Sequence, residues 1–280
     1  MPLRGGVIII GSLLWDNSNR QKWRENDLCF ENRFKVYIPI RYGRYSCTRK
    51  IYTMVFSNNC YLRRYGLGTG WVLPIKTKIN SFSELKGEAK KMGETEGFNN
   101  GFSSDWGSVA LLFNPNKIID DSIKEEWGKF MSDKIPRPPL SVSEKFPIDF
   151  NGFLTIRWPE EVMQKNKIEK YDFLIATVTN PTLINNRYPT VYKIANAMEK
   201  VDDYLYFEKN REYEITTFQD ERILNVTLPQ QELGASFNHK RKTSLSPSGC
   251  RYISRQESGV LCGSIISETK RKRETTKEDS

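Results

Sequence analysis

The sequence predicts an α+β protein, on three observations. Short apolar runs bounded by turn residues read as buried strands, led by Val7-Ile8-Ile9-Ile10 before Gly11-Ser12. Two other segments repeat apolar residues at spacings of three and four, the mark of a helix with one buried face. These are Phe82, Leu85, Ala89 and Met92, and Val191, Ile194, Ala195, Met198 and Val201. Finally, 280 residues with 38% hydrophobic and 12% aromatic side chains can bury a sizeable core.

Composition narrows the chemistry. No apolar run approaches the roughly 18 residues that cross a bilayer, and no small-residue cleavage site of a signal peptide follows the first strand. Five scattered cysteines (Cys29, Cys47, Cys60, Cys250, Cys262) form no C-x-x-C pair. That argues against a disulfide scaffold or a zinc site and for a reducing, cytoplasmic compartment. With His239 the only histidine, histidine-based triads and metal sites are nearly excluded. A general base must then be a carboxylate, Lys, Tyr or Cys.

The formal charge of +9 is unevenly placed. Residues 236–280 carry ten Lys/Arg against five acids, a net +5, which leaves +4 for residues 1–235. Lys270-Arg271-Lys272-Arg273 sits among Ser, Thr and charged residues, so 236–280 reads as a polar basic tail, disordered and solvated. Contact with nucleic acid is expected only through that tail, and no membrane partner is expected.

Taken in order, the first strand ends at Gly11, which has no Cβ to block a sharp turn or a close ligand. Asp16-Asn17-Ser18-Asn19 then offers capping side chains to a short helix around Arg20–Arg24. Strand, tight loop and helix start make a place to hold an anion; the plainer alternative is a structural turn. Phe34 to Ile40 alternates. Arg41 to Arg49 reads as a polar loop whose arginines Arg41, Arg44 and Arg49 can clamp carboxylate or phosphate, or simply face solvent as a hairpin loop. Ile51 to Ser57 is a strand.

Gly66-Leu67-Gly68-Thr69-Gly70 fails the dinucleotide fingerprint, since the strand-like Trp71-Val72-Leu73 follows where a helix is required. Ser81-Phe82-Ser83-Glu84 is a capping-box pattern opening a helix that ends at Gly93. Glu94 and Glu96 follow it, next to Gly97, placed either to project into a cleft or to face solvent. Trp106 to Phe113 reads as a strand, 121–134 as a polar helix, and Pro136 to Pro147 as a linker. Beyond it lie a strand from Tyr171 to Thr179, a helix opened by Tyr188-Pro189-Thr190 with the proline in its first turn, and short apolar pieces at 204–207 and 213–217. This half reads as an extension packed on the first, beginning near residue 150.

The strand ending in Gly11-Ser12-Leu13-Leu14-Trp15, then arginine-rich segment, strand, helix and acid-glycine pair, resembles the gamma-glutamylcyclotransferase-like (ChaC-type) family over residues 5–115. The resemblance implies a small mixed β-barrel flanked by helices, here a single domain over 1–235 with its C-terminal extension. It implies that the loop amides of Gly11, Ser12 and Leu13 take a substrate carboxylate. It also makes Glu96 in Thr95-Glu96-Gly97-Phe98, with Glu94 the fallback, the acid/base of cyclisation to 5-oxoproline. The tyrosine usual before Gly-Ser in that family is Ile10 here.

That chemistry requires an α-amine to lose a proton and a leaving amine to gain one, which one desolvated carboxylate can do. Arg41, Arg44 or Arg49 would hold the charged end of a gamma-glutamyl substrate. No metal and no cofactor is required. The alternative is a non-catalytic protein holding a small anion, such as a nucleotide or signalling metabolite, in the same pocket. A third reading is an interaction protein working through its basic tail.

Overall fold

The computed structural model describes residues 2–64, 66–135 and 146–227, all within one compact unit. The segment 136–145 of the expected linker and the expected tail at 236–280 lie outside the described residues. Nine strands are described: β1 (Gly5–Ile9), β2 (Phe34–Ile38), β3 (Ile40–Ser46), β4 (Ile51–Phe56), β5 (Gly68–Pro74), β6 (Ser103–Ser104), β7 (Gly107–Phe113), β8 (Glu160–Glu161) and β9 (Phe173–Thr179). Helices are α1 (Asn19–Asp27), α2 (Phe82–Glu96), α3 (Asp121–Ser132), α4 (Val191–Val201) and α5 (Leu205–Glu212), with a further helical segment over 220–227. The class is mixed α+β, as the alternation of apolar strands and amphipathic helices predicts.

Seven strands form one mixed sheet in the order β6-β7-β9-β1-β5-β2-β8, and β3 pairs with β4 as a separate ribbon. β1 runs parallel to β9, with Ile8 opposite Ala176, and antiparallel to β5 on its other side. Every residue of β1 is buried. A strand covered on both faces next to a parallel neighbour has no polar face to show, which is why Val7-Ile8-Ile9 does not alternate.

The expected barrel does not form, because the sheet is open. Its two edges are the two-residue strands β6 and β8, too short to pair further. Between β2 and β3 stands Pro39, which has no N–H for a ladder and lets the chain leave the sheet for the β3–β4 ribbon. The ribbon packs instead with β3 near β5 and β4 near β9.

Other expectations change in the same way. Residues 41–46 belong to β3 rather than to a loop, and the turn is confined to 47–50. α2 does not stop at Gly93 but runs three residues further, with Gly97 in the left-handed conformation (φ 95°) beyond it. A Cβ on Gly93 would lie 2.0 Å from the Gly101 carbonyl oxygen, so this glycine marks a close approach rather than a helix end. Of the apolar piece at 204–207, Tyr204 stands at the N-cap of α5 and the other three residues open that helix. The region after residue 150 is no appendage either, since β9 lies between β1 and β7 in the heart of the sheet.

The start of α2 follows the sequence, whereas α4 begins at Val191 with Pro189 outside its first turn, and the N-cap Ser18 of α1 makes no side-chain cap. Ser81 Oγ accepts from the Glu84 N–H at 3.3 Å, and Glu84 accepts in turn from the Asn80 N–H at 2.6 Å. Thr190 Oγ1 caps α4 by accepting from Lys193 N–H; such caps are worth about 1 kcal/mol each. Among the described residues no helix is long and apolar enough to cross a membrane. Cys29, Cys47 and Cys60 are free thiols.

Candidate functional site

At the end of β1 the chain makes a tight turn. The Gly11 carbonyl accepts from Leu14 N–H at 3.0 Å, and the Ser12 carbonyl accepts from Asp16 N–H at 2.9 Å. The turn's own donors thus begin at Leu14, and the amides of Ser12 and Leu13 precede them as the leading N–H groups of a helix do. Two arginines of α1 fix the turn. Buried Arg24 donates to the carbonyls of Leu13 (2.6 Å) and Asp16 (3.0 Å). Arg20 donates to Ser12 Oγ at 2.5 Å and to Asp16 at 3.1 Å.

The turn forms one wall of a cavity of about 360 Å³. Gly11, Ser12, Leu13, Arg44, Arg49 and Glu96 all line it, together with Arg20, Trp106, Thr177, Thr179 and Tyr206. Glu96, the last residue of α2, is the acidic side chain among the described lining residues. Its side chain is 15% exposed, and its carboxylate lies 3.7 Å from Arg20 Nη2. Burial pushes its pKa above the ordinary carboxylate value; the charges of Arg20, Arg44 and Arg49 pull it back without cancelling that effect.

Asp16 behaves oppositely. Burial raises it, but the hydrogen bond from Ser18 N–H and the charges of Arg20 and Arg49 hold it below the ordinary value. One carboxylate therefore stays ionised and fixes the arginines, lying 3.1 Å from Arg20 and 3.9 Å from Arg49. The other is held above the ordinary carboxylate value by burial.

The cations are held by aromatic faces. Arg44 stacks 4.4 Å from the Trp106 ring centre, and Arg49 sits 5.3 Å from Tyr206 and 5.7 Å from Trp15. Burial lowers the pKa of Arg44, opposed by the charge of Glu96. Tyr206 Oη accepts from the Met54 N–H of β4 at 3.2 Å. A Cβ on residue 11 would stand 2.7 Å from that same Oη, so glycine is required there for the hydroxyl to seat against the turn. Asn210, one turn along α5, accepts from Trp15 Nε1–H at 2.8 Å. Thr179 Oγ1 is buried on the wall with no hydrogen-bond partner among the described residues.

Two expected residues fall outside this pocket. Arg41 is drawn away onto Tyr188, whose ring centre lies 4.1 Å from its guanidinium. The bulge at Gly43, between Arg41 opposite Val55 and Arg44 opposite Thr53, separates it from Arg44. Glu94 is 56% exposed and pairs with Lys90 at 3.5 Å, the ordinary i,i+4 contact of a solvated helix face.

Sequence reasoning missed Arg20, Trp106, Thr177, Thr179 and Tyr206. Asp16 and Arg20 stand four apart, and that spacing could have flagged the arginine. Nothing local marks Tyr206, because its partners are 152 and 195 residues away in the chain. Among the described residues no group of three or more His, Cys, Asp or Glu comes together as a metal site would need.

Fold and site together define a mixed α+β protein whose open sheet and β-ribbon enclose an arginine-rich pocket holding one carboxylate of raised pKa. No protein-family model, no curated protein and no solved structure matches the chain.

Proposed function

We propose that this pocket holds a gamma-glutamyl group and that Glu96 carries the proton in its cyclisation to 5-oxoproline. The observation that carries the reading is Glu96, buried with a raised pKa, in the same cavity as Gly11, Ser12 and Leu13. The Ser12 and Leu13 amides and the Arg49 guanidinium take the substrate's carboxylate. Glu96 removes a proton from the α-amine, whose nitrogen attacks the gamma-carbonyl carbon. The new lactam bond forms as the amide C–N bond breaks, and Glu96 returns the proton to the departing amine. A carboxylate serving both steps works best when its pKa lies near the operating pH, which is the direction in which burial moves Glu96. Arg20, lying 3.7 Å from it, steadies its ionised form between the two transfers. Tyr206 brings a phenol to the Gly-Ser turn, where Ile10 replaces the tyrosine usual in gamma-glutamylcyclotransferase-like proteins.

The second reading is a binding protein that holds a small anion in this pocket without turnover. It is favoured by three guanidinium groups on the pocket wall (Arg20, Arg44, Arg49) against two carboxylates, Glu96 in the wall and Asp16 paired to Arg20 and Arg49. Release of 5-oxoproline from a panel of gamma-glutamyl amides and glutathione, measured for wild type, Glu96→Gln and Glu94→Gln, separates the two. The enzyme reading expects release that falls 100- to 10,000-fold in E96Q and is unchanged in E94Q. No release from any substrate, with anions still raising the melting temperature, leaves the binding reading.

A further inference from the structure

Arg41, set aside by the first pocket, lines a second cavity of about 690 Å³ with Arg63, Arg222, Tyr188, Phe218 and Gln219. The side chains that build it come from β3, the turn after β4, the approach to α4, and residues 218–226 leading into and along the helical segment over 220–227. Arg41 stacks 4.1 Å from the Tyr188 ring centre and 5.5 Å from that of Phe218, while Arg63 stacks 4.9 Å from the same Phe218 ring. Among the described residues no carboxylate lines this cavity, and none of the three arginines forms an ion pair. Arg41 is 8% exposed, and its Nε has no hydrogen-bond partner among the described residues.

Gathering like charges around a cavity without a counter-charge is unfavourable, and burying one of them more so. Burial indeed holds Arg41 below the ordinary arginine value, and the like charge of Arg63 adds to the effect. A ligand carrying at least two negative charges offsets this. Guanidinium groups match phosphate through paired N–H donors, and stacking on Tyr188 and Phe218 fixes the planes in which Arg41 and Arg63 present theirs. The volume is that of a site for a molecule of nucleotide size.

We propose that this second cavity binds a small organic phosphate through Arg41, Arg63 and Arg222. The assignment is independent of the reaction at Glu96. It is tested by calorimetric titration of the full-length chain with AMP, inorganic phosphate and citrate, using wild type, Arg63→Gln, Arg222→Gln and Arg49→Gln. Arg63 and Arg222 are both exposed, so their replacement leaves packing intact.

AMP is expected to bind saturably, more tightly than citrate and more weakly as salt is raised. R63Q and R222Q should each weaken AMP at least tenfold, while R49Q in the first pocket should leave its affinity unchanged. Inorganic phosphate should bind with the same dependence on Arg63 and Arg222, though more weakly. The proposal is overturned by any of three results: no saturable AMP binding, AMP binding lost in R49Q but kept in R63Q and R222Q, or citrate binding as tightly as AMP.

Discussion

Arg20 Nη2 lies 3.7 Å from Glu96 Oε2 while Nη1 of the same guanidinium donates to Ser12 Oγ at 2.5 Å. One side chain thus couples the turn after β1 to the end of α2, and it does so from inside the pocket wall. Its charge is one of those that temper the raised pKa of Glu96.

Removing that charge has a signed consequence. In Arg20→Gln the desolvation of Glu96 remains and part of the opposing attraction is lost, so its pKa rises further. If Glu96 is the base, activity requires its ionised form at the start of the cycle. The acid limb of the kcat/KM profile should therefore move to higher pH in R20Q. A pH profile for 5-oxoproline release measures it, and a limb that stays in place would remove Glu96 from that role.

Gly11 and Tyr206 should show a rescue. A methyl group at residue 11 would sit 2.7 Å from Tyr206 Oη but 3.6 Å from its Cζ, an ordinary contact. Gly11→Ala should destabilise by about 1–3 kcal/mol through overpacking. Tyr206→Phe alone strips the Met54 N–H of its acceptor and should cost about 1 kcal/mol. The double variant should be more stable than G11A, since the clashing oxygen is gone. Thermal melts of the three variants test this; equal melting of G11A and the double variant would contradict the contact.

Thr179→Val should separate binding from stability. Its Oγ1 is buried on the pocket wall without a partner among the described residues, so an isosteric methyl should leave the melting temperature unchanged or higher. If the hydroxyl serves a ligand, affinity or KM should worsen by about tenfold. Unchanged binding would leave that hydroxyl without a function in the site.

Asp220, at the start of the 220–227 helix, accepts from Thr217 Oγ1–H at 2.6 Å and from Thr217 N–H at 3.2 Å. Burial nonetheless raises its pKa from 3.8 to about 6. The folded state thus holds this proton more tightly than the unfolded one, so stability is lost as pH rises from about 4 through about 6. Asp220→Asn keeps an oxygen acceptor and has no charge to bury. It should melt at higher temperature than wild type at pH 7, by up to about 3 kcal/mol of stability. The gap should close near pH 4. A difference independent of pH would show that Asp220 does not titrate in this range.

Much of the frame is legible residue by residue. Val7-Ile8-Ile9 reads as a buried strand because its apolar residues do not alternate, and α2 and α4 announce themselves through their apolar spacings, with Ser81 marking the start of α2. Glu96 is legible in the sequence as a candidate, and the fold brings it into the cavity of Gly11, Ser12 and Leu13. Legibility ends where a side chain's fate depends on a distant partner. Arg41, Arg44 and Arg49 look alike in sequence, yet Tyr188 and Phe218 take Arg41 while Trp106 and Tyr206 hold the other two. Two acids two residues apart, Glu94 and Glu96, diverge because 200° of helical rotation puts one toward solvent and the other into the cavity.

The sequence by itself determined the α+β class, the buried first strand, the apolar faces of α2 and α4, the absence of metal-ligand spacing and the candidacy of the Gly-Ser turn and Glu96, because each rests on local composition, periodicity or capping. Only the tertiary structure decided that the sheet stays open, that β9 enters its centre, and that α5 delivers Tyr206 and Asn210 to the first turn. Those outcomes depend on strand pairing and on contacts between residues far apart in the chain, for which neither propensity nor spacing carries information.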